Sequence, residues 1–72
     1  MNRSIQLFDV VALTEDITGA GLFRGQVGTV VDILSSSKAF EVEFSDKDGR
    51  TYESLGVRPD QLMVLIYEPT FA

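Results

Sequence analysis

Several stretches of the chain have residue types and spacings that could do chemistry. Glu41 and Glu43 lie two apart, so on an extended backbone both carboxylates share one face and could divide acid and base roles. Such a division needs burial or a close neighbour to push the two pKa values apart. Both glutamates alternate with Phe40, Val42 and Phe44, which places them on the wet side of a strand. Asp46-Lys47-Asp48-Gly49 opens like a calcium loop. A calcium loop needs a further oxygen donor and a distal glutamate, but here glycine follows at once and Arg50 takes the next donor's place, so the stretch reads as a turn. Gly19, Gly21, Gly25 and Gly28 could suggest a phosphate cradle. No Gly-Lys-Ser or Gly-Lys-Thr accompanies them, and no long helix follows to face a phosphate. Ser35-Ser36-Ser37 has no histidine anywhere to serve as base, which removes a Ser-His-Asp site. No catalytic residue, metal ligand or cofactor site is assigned.

The remaining candidates would bind rather than react. Glu15 and Asp16 form an acidic pair in a long polar loop, where they could meet a basic residue of a partner. Phe23 and Tyr52 could lie beside that loop and offer apolar contact. The alternatives are plain: the acids keep the loop soluble, and the aromatics close the core. A groove for proline-rich peptides usually includes tryptophan, which this chain lacks.

Composition narrows the classes. At 72 residues the chain is one small domain, with a core expected over about residues 8–67 and a tail over 68–72. A chain of this size hides only around 60% of its unfolded surface, so its core is thin. It has no cysteine and no histidine, so disulfides, thiolate metal sites and the commonest general base are absent. Eleven acidic against six basic residues give a net charge of −5. The basic residues, Arg3, Arg24, Lys38, Lys47, Arg50 and Arg58, are scattered among acids rather than set in a stripe, which argues against nucleic acid. No apolar run approaches the roughly 20 residues of a membrane span, and the N-terminal apolar residues are interrupted by Gln6 and Asp9. A cytoplasmic protein is expected.

The elements that must position these residues read as strands. Phe8 to Leu13 alternates as a first strand, and Thr14 to Leu22 follows as a loop folded back on itself, anchored by Ile17 and Leu22. Gly25 to Leu34 is a second strand, with glycines at its start marking a tight turn or close crossing. Phe40 to Ser45 is a third, and the Asp-Gly turn leads into a fourth over Arg50 to Leu55. Arg58 to Leu62 is a helical turn begun by Pro59, and Met63 to Tyr67 is a last strand. Leu65, Ile66, Tyr67 and Phe71 make a lightly charged end that could pair with another copy of the chain. Five short strands in this order predict an all-β fold: a five-stranded SH3-like small barrel with one short helical turn before the last strand.

The motifs Val11 to Asp16, Gly21 to Val31, Glu41 to Phe44 and Gln61-Leu62 resemble those of a family of short bacterial proteins of unknown function, common in cyanobacteria. The resemblance spans about Phe8 to Leu65 and implies the barrel, with no activity attached. Gly25-x-x-Gly28-x-Val30 also resembles KOW-type barrels of translation and transcription proteins. The expected function is a non-enzymatic protein-interaction module, its partner another protein encoded nearby. The alternative is a KOW-like nucleic-acid-associated protein.

Overall fold

The computed structural model describes residues 4–66. Five antiparallel strands form one sheet in the order β4-β3-β2-β1-β5. Their bounds are β1 Val10–Leu13, β2 Val27–Leu34, β3 Ala39–Ser45, β4 Thr51–Val57 and β5 Leu62–Val64. The all-β class and the five strands along the chain are as the sequence predicts. No ladder joins β4 to β5 among the described residues, so the sheet stays open between them and is not a closed cylinder. A 3-10 turn at Pro59–Gln61 precedes β5, as expected. Two further turns, Thr18–Ala20 and Ser35–Ser37, occupy stretches that the sequence marks only as connections.

The period-two pattern explains the core. Phe40, Val42 and Phe44 on β3 point to the same side and are all buried. They meet Val11 and Leu13 of β1, Val30 of β2, Val57 of β4 and Leu62 of β5 in one cluster. Leu22 from the long loop completes it, and Ile17 packs against its edge. These two anchors pair with each other through an isolated bridge, which folds the loop back as the sequence suggested.

Two bulges bend the sheet. Val30 pairs with Val42 and Asp32 with Glu41, so Val31 is the extra residue on β2. Phe44 pairs with Glu53 and Ser45 with Thr51, so Tyr52 is the extra residue on β4. A bulge bends its strand and increases local twist, which curls a short sheet around a thin core.

The structure corrects several boundaries. The first strand starts at Val10, not Phe8. Phe8 has φ 69° and is 70% exposed, because Gln6 to Asp9 forms a turn closed by the Asp9 carboxylate accepting from the Gln6 amide. β4 runs two residues further than expected, to Val57, which the core captures. β5 stops at Val64. Of the pair flagged beyond it, Ile66 is exposed and Leu65 half-buried. The expected tail, Phe71 and Tyr67 lie outside the described residues.

Candidate functional site

The end of the barrel that carries the long loop and the β3–β4 hairpin gathers two of the four candidate contact residues. Phe23 is 60% exposed and Tyr52 is 46% exposed. Neither closes the core; Leu22 and Phe44 do that instead. Leu22 and Phe23 are neighbours, so once Leu22 points inward Phe23 turns outward. Tyr52 is exposed because it shares the outward face of β4 with Ser54 and Gly56, while Glu53, Leu55 and Val57 alternate towards the core.

Gln26 links the two. Its Nε2 donates to Tyr52 Oη at 2.8 Å, and its Oε1 accepts from the Phe23 amide. The Gln26 amide donates in turn to the Phe23 carbonyl. One half-buried side chain therefore ties the turn bearing Phe23 to the strand bearing Tyr52. Gln26 carries no motif that marks it in the sequence, being a single polar residue before a strand. Its one signal is its place between Gly25 and Gly28, where the chain approaches itself closely.

The two acids separate. Asp16 Oδ1 accepts from the Arg24 amide at 2.8 Å, so Asp16 closes the base of the loop. Glu15 lies towards the other flank, where its charge acts on Arg58. There Arg58 Nε donates to Asp60 Oδ1 at 3.1 Å. That hydrogen bond, with the guanidinium's charge adding, holds the Asp60 carboxyl below its ordinary range. The Thr14 hydroxyl donates to the Asp60 carbonyl at 3.0 Å and its amide to the Gln61 carbonyl at 2.9 Å, which pins the loop's first residue to the 3-10 turn.

The remaining acids have structural uses. Asp46 Oδ1 accepts from the amides of Asp48 and Arg50 at 2.9 and 3.0 Å, and Gly49 takes the left-handed φ of 82° that the turn requires. Arg50 lies 4.0 Å from Asp46 and 3.7 Å from Asp48 at the surface. Glu41 Oε2 accepts from the Ser54 hydroxyl at 2.6 Å across the β3–β4 ladder. Glu41 and Glu43 face away from the core cluster, as the alternation requires. Among the described residues no three acids come together as a metal site, and no helix is long and apolar enough to cross a membrane.

Comparison with curated proteins and with solved structures returns no match. A family model described as a domain of unknown function, DUF4926, matches residues 7–64, which spans β1 to β5 and contains Phe23, Gln26 and Tyr52. The chain belongs to this family of unknown function.

Proposed function

We propose that the protein is a non-enzymatic protein-interaction module, and that the end of the barrel bearing Phe23 and Tyr52 is its contact surface. The observation that carries this reading is two exposed aromatic side chains joined through one ordered glutamine. Aromatic side chains supply large contact area with little entropy to lose, and they dominate interface energetics. A glutamine that ties down the tyrosine hydroxyl and the phenylalanine backbone reduces the ordering still to be done on binding. Asp16 lies beside the surface and would favour a basic neighbour on the partner, while Glu15, on the flank of Arg58, stands apart from it. The partner is another protein, met in the cytoplasm and encoded nearby.

The test is co-expression with products of neighbouring genes, followed by affinity measurement on any complex formed. Phe23→Ala with Tyr52→Ala is expected to weaken a genuine complex by at least about tenfold, since central aromatics contribute about 2 kcal/mol or more each. Both side chains are largely outside the core and the Gln26–Tyr52 hydrogen bond is worth about 1 kcal/mol, so the urea midpoint of the double variant should fall by no more than about 1 M. A partner held equally well by both chains refutes the assignment. Co-purification of RNA with steep salt dependence would instead favour the KOW-like nucleic-acid reading.

A further inference from the structure

A second surface lies beside the first and has a different chemistry. The register places Ala12 opposite Met63 on β5 and opposite Val27 on β2, so Met63, Ala12 and Val27 form one cross-strand row. The two ends of the row are exposed, Met63 at 52% and Val27 at 43%, while Ala12 between them is buried. A shallow cleft of about 300 Å³ opens next to it, lined by Ala12, Leu13, Thr14, Arg24, Gly25 and Met63. Of its apolar side chains Met63 is exposed, Ala12 is buried and Leu13 packs into the core. The Thr14 hydroxyl is already committed to the Asp60 carbonyl.

Arg24 is the charged group of this cleft, and its guanidinium is unused. Its backbone amide is bonded to Asp16, while its side chain makes no hydrogen bond or ion pair with any described residue. Arg50 and Arg58, by contrast, each lie beside an aspartate. The Asp16 carboxylate is taken by the backbone of Arg24, so the exposed guanidinium keeps its donors for a ligand beside Met63. The guanidinium fork matches a carboxylate in two parallel hydrogen bonds.

We infer that this cleft receives a partner-protein segment carrying an Asp or Glu side chain beside an apolar one, the carboxylate on Arg24 and the apolar group on Met63. The inference rests on the reading of the protein as an interaction module and specifies the chemistry of the partner at one spot. The net charge of −5 does not oppose it at short range, because at 0.15 M salt charges are screened beyond about 8 Å.

The test uses two short probes that differ only in charge, N-acetyl-Glu-Leu-amide and N-acetyl-Gln-Leu-amide, titrated into the isotopically labelled full chain at 0.15 M salt. The amides of Ala12, Thr14, Gly25 and Met63 are expected to shift with the Glu probe. Its affinity should exceed that of the Gln probe by about two- to fivefold, the range of a solvent-accessible ion pair. Arg24→Gln should abolish the difference, and Met63→Ala should weaken both probes. Equal affinities for the two probes, a preference that survives Arg24→Gln, or shifts confined to other surfaces would overturn the proposal. N-acetyl-leucine is the third probe. If it binds the cleft and the Glu probe does not, the source is a chain terminus rather than an acidic side chain, and the proposal fails. These readings use the isolated protein, so their failure leaves the Phe23 and Tyr52 surface standing, and loss of that surface leaves them interpretable.

Discussion

Two glycines, both within strands, are expected to respond to alanine with opposite sign. At Gly28 a Cβ would lie 2.6 Å from Val42 Cγ1, 2.7 Å from the Glu43 carbonyl oxygen and 3.0 Å from Phe44 Cδ1. Comfortable carbon–carbon contact is about 3.5–4.0 Å, so the neighbours would have to retreat by about 1 Å. Val42 and Phe44 are fully buried, and the carbonyl belongs to the strand paired with Gly28, so nothing there retreats freely. Overpacking of this kind costs about 1–3 kcal/mol and occasionally more, and three simultaneous contacts with buried groups put Gly28→Ala at about 3 kcal/mol. A chain of 72 residues has a total stability of about 4–11 kcal/mol, so the loss is a large share of it. At Gly56 a Cβ would meet only Leu34 Cδ1, at 3.5 Å, and its φ is not positive. Gly56→Ala should therefore stabilise by about 0.4–1 kcal/mol through the unfolded state. Urea unfolding followed by far-UV circular dichroism measures both. With a slope of about 1 kcal/mol per molar urea for so small a domain, Gly28→Ala should move the midpoint down by about 3 M. A Gly28→Ala midpoint within about 0.5 M of the wild type would refute the packing argument, as would Gly56→Ala proving the more damaging change.

Three other expectations follow from the turns and the surface pair. Ser35, Ser36 and Ser37 all have positive φ, a conformation that disfavours L-residues by about 1–2 kcal/mol each, so Ser36→Gly should stabilise by about 0.5–1 kcal/mol in the same urea assay. Asp46→Ala removes the acceptor of two backbone amides in the β3–β4 turn and should destabilise by about 1–2 kcal/mol, with the largest loss of amide protection at Asp48 and Arg50. The Asp60 carboxyl, lowered by Arg58, adds stability that is present above the ordinary Asp range and is lost as pH falls through its depressed folded value. Carboxyl carbon NMR should show a midpoint below that of an unpaired Asp, returning to the ordinary value in Arg58→Gln; an unchanged midpoint would contradict the pairing.

Much of the fold is legible in local pattern. The alternation of Phe40, Val42 and Phe44 with Glu41 and Glu43 is enough to place β3 and its wet face, because side chains on a strand repeat every two residues. Asp46 to Gly49 is enough to place the hairpin, and Pro59 the turn before β5. The contact residues are less legible. Phe23 and Tyr52 have the burial preference of core residues. Tyr52 is nonetheless exposed, because Leu55 and Val57 pair with the core residues Val42 and Phe40 and leave Tyr52, Ser54 and Gly56 on the outward face, and which face of β4 turns inward is a property of the β3–β4 pairing and not of either strand alone.

What the chain determines by itself is therefore the set of strands, their order and the glycines and aspartates at their turns, since each depends on neighbours within a few residues. Only the tertiary structure decides that Gly28 lies against Val42 and Phe44, that Gln26 reaches Tyr52, and that the Arg24 guanidinium lies in the cleft of Met63 with no ion pair to a described residue. The physical reason is separation. These contacts join residues from different strands and loops, and their distances depend on register, bulge and curl, quantities that no local window of sequence contains.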